Sequence, residues 1–247
     1  NGGRCGNRQN ADGRLQMRVL IGFDPAESAA HAVAHKSIKA IDPRQPITPI
    51  ILARLEAAGL YRRPTERRNG QLWDTISEAP MSSEFAISRF FIPYLTTPSE
   101  EWALFVDSDI VSLSSVAKVL DEADPRYAIQ VVKHASPYAV GTKKVGKANL
   151  PYARKNWSSV MLWNLRHRAH RELTLDILNT LPGRDLHRFC WLHDDEIGDL
   201  SPGWNWLVNV QERPDPCHIA HFTLGGPWLD GWKAAPNDDI WWEASRA

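Results

Sequence analysis

The chain has 247 residues, 43% of them hydrophobic, which is enough to bury one sizeable core and is read here as a single domain. Lysine plus arginine and aspartate plus glutamate each number 29, so no overall field exists to attract nucleic acid or an anionic membrane non-specifically. The three scattered cysteines, Cys5, Cys190 and Cys217, exclude a disulfide framework and a cysteine-paired zinc site, and they fit a reducing, cytoplasmic setting.

Residues 1–16 are rich in Gly, Asn and Arg with almost nothing to bury, so they are expected to be disordered or an expression remnant, and the domain is expected over 17–247. The run MRVLIGF (17–23) reads as a first strand that stops at Asp24-Pro25 and leads into a helix over 27–40. A second strand follows at 47–52. Such strand, helix, strand alternation predicts an α/β fold with a mainly parallel sheet covered by helices, and ligands of such sheets sit at the carboxyl ends of the strands.

The stretch 54–80 carries charges, Gly and Pro without a sustained period, and reads as a long functional loop. A helix is expected over 83–94, with a Ser cap and Phe85, Ser88, Arg89 and Ile92 at helical spacing. WALFVD (102–107) is the next strand, followed by a helix at 115–122 and strands in YAIQVVK (127–133) and SSVMLW (158–163). Between the last two lies a basic, Gly-containing stretch, 141–155, that reads as a lid, and a further helix is expected over 169–180. No apolar run approaches the roughly 18 to 20 residues of a membrane span. A soluble protein is therefore expected, at most peripheral at the inner face of a membrane.

The chemistry concentrates in LFVDSDIV. Asp107 and Asp109 flank Ser108 directly after five apolar residues, so the first carboxylate emerges where a buried strand ends. Two such hard oxygen donors facing one site suit Mn²⁺ or Mg²⁺ rather than a thiophilic metal. An ion there can bridge diphosphate oxygens and take up charge as a leaving group departs. Asp and Ser are also ordinary turn formers, so the tripeptide alone is equally the turn that ends a strand.

With its neighbours the pattern resembles glycosyltransferase family 8, the glycogenin and lipopolysaccharide galactosyltransferase type. Arg89 in SRFFIPYL matches the Arg-bearing helix before that family's Asp-x-Asp strand, and MRVLIGFD resembles its first strand with the nucleotide-contacting acid. NWSSVMLWNL is similar to the strand facing the sugar, HDDEIG to the Asp-Gln-Asp segment, LSPGWNW to a Leu-Pro…Trp-Asn stretch, and HFTLGGPW to the terminal His-containing metal motif. In order, these segments cover about 17–232.

The resemblance implies a GT-A-like single domain with a mixed, mostly parallel central sheet and a Rossmann-like nucleotide-binding half. It implies a metal-dependent, retaining transfer of a hexose from a UDP-sugar to a saccharide or glycolipid acceptor. Asp107, Asp109 and His221 would hold Mn²⁺ or Mg²⁺. Asp24, Arg89 and Ser108 would face the nucleotide, and Gly225-Gly226 would let backbone approach phosphate. Ser158, Ser159 and Asn164 would face the sugar, with Asp194 on its hydroxyls and Asp195 near the reaction centre, where a covalent or a front-face route is open. By the same analogy the pathway would be bacterial envelope polysaccharide or lipopolysaccharide assembly.

The chain departs from that pattern where the family carries a Lys just before Pro-Trp, because Gly226-Pro227-Trp228 stands there instead. Lys155, Arg154 and Lys233 are the candidates to replace that cation. Six of the eleven tryptophans fall between Trp204 and Trp242, and Trp204, Trp206 or Trp228 could line an acceptor site, although aromatics also build cores. His218 reads as structural. Two other readings stay open: another metal-dependent enzyme of nucleotide sugars, such as a nucleotidyltransferase or hydrolase, and a non-catalytic sugar-binding protein with a degenerate site. Against the nucleotidyltransferase stands GFDPAESAA, which lacks the glycines and charge of a triphosphate loop.

Overall fold

The structure, a computed structural model, describes residues 17–135 and 154–247. In chain order the strands are β1 (Arg18–Gly22), β2 (Ile47–Ile50), β3 (Thr65–Arg68), β4 (Gln71–Asp74), β5 (Ala79–Pro80), β6 (Trp102–Val106), β7 (Ile110–Ser112), β8 (Ile129–Val131), β9 (Val160–Asn164), β10 (Ile197–Asp199), β11 (Trp206–Leu207) and β12 (Ile219–His221). The helices are α1 (Ser28–Ile41), α2 (Leu52–Ala57), α3 (Ile92–Leu95), α4 (Leu175–Thr180), α5 (Gly183–His187) and α6 (Asp238–Arg246).

The central sheet has the order β10-β8-β9-β6-β1-β2. Five strands run the same way, and β9 alone is antiparallel to both of its neighbours, β6 and β8. Helices cover the sheet, which is why the strands read as unbroken apolar runs. Along β6, Ala103 and Phe105 join one core with Leu20, Met161 and Trp163. Trp102, Leu104 and Val106 join the other with Val19, Ile21 and Leu162. Period-two alternation thus divides each strand between two buried faces. The α/β class and the mixed, mostly parallel sheet are as the sequence implied.

Several expected elements differ. The supposed loop 54–80 contains the end of α2 and an antiparallel three-stranded sheet, β3-β4-β5. Asn69 and Gly70 turn its first hairpin with φ of 51° and 79°, the Asn-Gly signature of a two-residue turn. It was hidden because TERR carries charge where strands usually alternate. The expected helix over 83–94 shrinks to a 3-10 turn, Ser88–Phe91, and the single-turn α3. Pro93 has no N–H to donate back to the Arg89 carbonyl, and α3 instead starts afresh with the proline in its first turn, where no such donor is needed. The helix expected over 169–180 breaks into a 3-10 turn, Arg168–Glu172, and α4. Thr174 starts α4 afresh by accepting a hydrogen bond from the Ile177 N–H at 3.2 Å. The stretch 115–122 is a 3-10 helix, Val116–Glu122. Residues 1–16 and all but the last two residues of the expected lid lie outside the described residues.

His170 packs beside Trp163, ring centroids 5.0 Å apart, and its Nε2–H donates to the Ala128 carbonyl at 3.1 Å. Burial pushes its pKa down to about 4 from 6.5. The unfolded chain therefore binds a proton that the folded chain refuses, and stability is lost as pH falls from 6.5 towards 4. Unfolding titrations across that window should show the His170→Gln variant closing its stability gap to wild type at the acid end; a constant gap would rule the residue out. His134, pushed down to about 4 by burial and then by neighbouring His221, adds to the wild-type slope in both proteins.

Candidate functional site

One register assembles the site. β6 ends at Val106, the chain turns through Asp107, Ser108 and Asp109, and it continues as β7, which pairs antiparallel with β12 so that Ile110 stands opposite His221. The Phe222 N–H donates to the Asp109 carbonyl and the Asp107 N–H to the Ser159 carbonyl, each at 2.9 Å. The turn is thereby pinned to both neighbouring strands. A carboxylate oxygen from each aspartate and a His221 ring nitrogen lie within 4.8 Å of one another. His221 Nε2 is 3.3 Å from Asp109 Oδ1 and 3.9 Å from Asp107 Oδ2.

These groups are almost wholly withdrawn from solvent, with 0% exposure for His221, 4% for Asp109 and 8% for Asp107. Buried charge needs compensation. Arg89 supplies part of it, with Nη1 2.7 Å from Asp107 Oδ1 and donating also to the Ser158 carbonyl at 2.9 Å. Its guanidinium carbon sits 5.1 Å from the ring centroids of both Phe85 and Phe105. With a neutral imidazole, the two aspartates and Arg89 sum to one negative charge. A divalent cation would turn that into one positive charge, the sign that suits a diphosphate.

The hydrogen bonding of His221 fits such a cation. Nδ1 lies 2.9 Å from Asn205 Oδ1, while Asn205 Nδ2 donates to the Asn156 carbonyl at 3.1 Å, which fixes the amide orientation. The proton therefore sits on Nδ1, and the Nε2 lone pair points at the carboxylates. Among the described residues the buried Nε2 has no hydrogen-bond partner. Carboxylate oxygens and one imidazole form a donor set for Mn²⁺ or Mg²⁺. An Asn205→Leu substitution removes the acceptor that orients the ring, and Mn²⁺ affinity is expected to fall about 10- to 100-fold, as for other outer-shell partners. Direct Mn²⁺ titration reads this, and an unchanged affinity would mean that Asn205 does not orient the ligand.

The remaining predicted residues divide. Asp24 lies at the carboxyl end of β1, on the same sheet edge as Asp107, and is 5% exposed. Its carboxylate caps the next 3-10 turn by accepting from the Ala26 N–H at 2.9 Å and holds the Glu84 N–H at 3.2 Å. Arg89 was expected on the nucleotide; its guanidinium pairs with Asp107 and donates to the Phe85 and Ser158 carbonyls at 3.4 and 2.9 Å. Ser108 is fully buried, and its Oγ has no hydrogen-bond partner among the described residues. Its hydroxyl is not presented to a ligand.

Asn164 is a correction. It pairs with Trp102 at the start of β6, because β9 runs antiparallel, and so lies at the opposite end of the sheet from Asp107. Its side chain donates to the Pro125 and Tyr127 carbonyls at 3.1 and 3.2 Å. Ser158 and Ser159, at the other end of β9, do border the cluster. Asp194 and Asp195 are exposed in a 3-10 turn before β10, whose register runs from Ile197 through Ile129 and Trp163 to the level of Ala103. Arg154 grips the Asp194 carboxylate.

Burial holds the Lys155 ammonium below the usual lysine range. Gly225 takes φ 105°, and a Cβ on Gly226 would stand 2.2 Å from the Trp228 ring, so the turn after His221 requires both glycines. Trp204 and Trp206 are core residues, 1% and 2% exposed, and His218 stacks on Trp204 at 4.2 Å. Asn205 and the Arg154–Asp194 pair were missed. The signals for Asn205 were a polar residue between two tryptophans and the Trp-Asn pair within the LSPGWNW resemblance.

The fold is that of GT-A glycosyltransferases: the crystal structure of GlyE from Streptococcus pneumoniae TIGR4 matches with a TM-score of 0.56 at 16% identity, over 93% of this chain and 60% of that one. The galactosyltransferase LgtC in complex with donor and acceptor sugar analogs matches at 0.53 and 16%, over 93% and 95%. Mouse xyloside xylosyltransferase 1 matches at 0.51 and 13%, over 83% and 97%. The chain is also 40% identical over 231 residues to Protein CDI of Arabidopsis thaliana, spanning 91% of this chain and 84% of that protein, and it belongs to the same family. No family model matches. Among the described residues no helix is long and apolar enough to cross a membrane.

Proposed function

We propose that the protein is a metal-dependent, retaining glycosyltransferase of the family 8 type, moving a hexose from a UDP-sugar to a saccharide or glycolipid acceptor. The observation that carries this reading is the buried Asp107, Asp109 and His221 cluster at the carboxyl edge of a GT-A sheet, with the Nε2 lone pair turned into it. Asp107, Asp109 and His221 would hold a divalent ion there, and it would supply charge stabilisation as the diphosphate leaves.

In the transfer, an acceptor hydroxyl oxygen forms a bond to the anomeric carbon while the bond from that carbon to the phosphate oxygen breaks. The electron pair leaves with the UDP, and the hydroxyl proton passes to the departing phosphate or a nearby carboxylate. Arg89 holds one oxygen of Asp107, leaving the other for the ion. Asn205 holds the His221 ring in the ligating tautomer. Asp24, on the same edge, is the acid proposed for the nucleoside, and Lys155 is the proposed replacement for the family's diphosphate lysine. Retention rests on the resemblance to family 8.

Calorimetric titration of UDP, ADP and GDP with and without Mn²⁺ tests the reading. UDP binding that requires Mn²⁺ is expected. Absence of any nucleotide binding would sink the transferase assignment, and an inverted anomer in the product would sink retention.

A further inference from the structure

One short turn reaches both sides of the metal cluster. It runs from Asn156 through the 3-10 helix Trp157–Ser159 into β9, and it is buried, with Asn156 6%, Ser158 1% and Ser159 3% exposed. The Ser159 carbonyl accepts the Asp107 N–H at 2.9 Å, and the Ser158 carbonyl accepts, also at 2.9 Å, the Arg89 nitrogen that holds the Asp107 carboxylate. On the other side, the Asn156 carbonyl accepts Asn205 Nδ2 at 3.1 Å, and Asn205 Oδ1 faces His221 Nδ1.

The backbone sets the shape of this turn. Asn156 has φ 65° and ψ −1°, in the left-handed region, and Arg154, two residues earlier, has φ 61°. Asn enters that region more readily than most side chains, whereas a β-branched residue there is strained. The chain is anchored on both sides, since Arg154 donates to the Arg188 carbonyl at 2.6 Å and Trp157 Nε1 to the His134 carbonyl at 3.0 Å. Between those anchors the Asn156 carbonyl takes the Ser159 N–H at 3.3 Å as well as the Asn205 amide. Moving φ of Asn156 to negative values swings that carbonyl away from Asn205.

The chemical consequence falls on His221. An Asn205 amide that has lost the acceptor for Nδ2 is free to flip, which puts an N–H donor opposite His221 Nδ1. The ring proton then belongs on Nε2, and the lone pair aimed at the carboxylates is gone.

We propose that Asn156 is a positioning residue of the metal centre, whose left-handed backbone fixes, through Asn205, the tautomer in which His221 can ligate. This rests on reading Asp107, Asp109 and His221 as a metal site, and the two fail in different ways.

The test compares Asn156→Gly with Asn156→Val. Both lack the side-chain amide, and only glycine takes the left-handed region without strain. Titration with Mn²⁺ should give the glycine protein an affinity within about twofold of wild type and the valine protein one weaker by about tenfold or more, the range of outer-shell changes. Nitrogen NMR of the imidazole rings in the metal-free proteins separates positioning from damage to the fold, with the His221 signals assigned by their absence from His221→Gln. Wild type and Asn156→Gly should carry the proton on Nδ1, and Asn156→Val should carry it wholly or partly on Nε2. Melting curves establish that each protein is folded; if the valine protein is not, Asn156→Ala, strained in the same sense but less, takes its place in both readings.

A valine protein with wild-type affinity or the wild-type tautomer overturns the proposal. So does a glycine protein as weak as the valine one, because the lost side-chain amide is then the cause. Wild-type protein that binds no Mn²⁺ removes the metal site itself, while the tautomer still decides whether Asn156 orients His221.

Discussion

On the proposed function, the Asp109→Asn variant is expected to lose at least about 10³-fold in sugar transfer, because a divalent ion held there would supply several kcal/mol of charge stabilisation and each 1.36 kcal/mol is tenfold in rate. The substitution keeps shape and removes one anionic oxygen from a set of three donors. Its effect on the empty protein should have the opposite sense. Asp109 is 4% exposed and stands two residues from a second buried carboxylate, so replacing it relieves like-charge repulsion. Melting without metal should therefore stay the same or rise, while the stabilisation by Mn²⁺, which follows from binding to the folded state alone, should disappear. A variant that melts low and also transfers slowly would indicate damage to the turn between β6 and β7. A variant that still melts higher with Mn²⁺ would show that Asp109 is not a ligand.

How far the sequence reaches is visible at this same turn. Five apolar residues before Asp107 announced a buried strand ending in a carboxylate, and β6 ends there. The sheet class was legible because strands buried on both faces leave continuous apolar runs. His221 was placed with the aspartates only through a family resemblance. The physical cause is the antiparallel register of β7 with β12, a long-range pairing that no local pattern encodes. Asn164 failed for the matching reason: nothing in SSVMLWN says which way the strand runs, and the antiparallel β9 sends Ser158 and Asn164 to opposite ends of the sheet. Arg89 illustrates a further limit. A buried arginine at helical spacing shows that a charge needs a partner, but whether that partner is a ligand or a second protein group is decided by the fold.

The same limit hid the one ion pair among the described residues with both partners 0–1% exposed in their side chains, Arg63 with Asp74. Arg63 Nε and Nη2 meet the two Asp74 oxygens at 3.0 and 2.6 Å. Nη1 donates to the Leu178 and Leu181 carbonyls at 2.9 and 2.8 Å. Asp74 in turn accepts from the Ser77 N–H at 2.8 Å, and Ser77 Oγ receives the Gly183 N–H at 2.7 Å. The β3-β4-β5 sheet is thereby fastened to the end of α4 and the start of α5. Asp74→Ala should destabilise the protein by about 3–5 kcal/mol, since it leaves a guanidinium buried without its counter-ion. Against a typical net stability of about 5–15 kcal/mol, that is a large share. The double variant Arg63→Met with Asp74→Leu should recover much of the loss, because desolvating the pair costs nearly as much as its attraction returns. Urea unfolding of the two proteins separates the possibilities: a double variant no more stable than Asp74→Ala would mean that the carbonyls of Leu178 and Leu181, deprived of Arg63, carry the penalty instead.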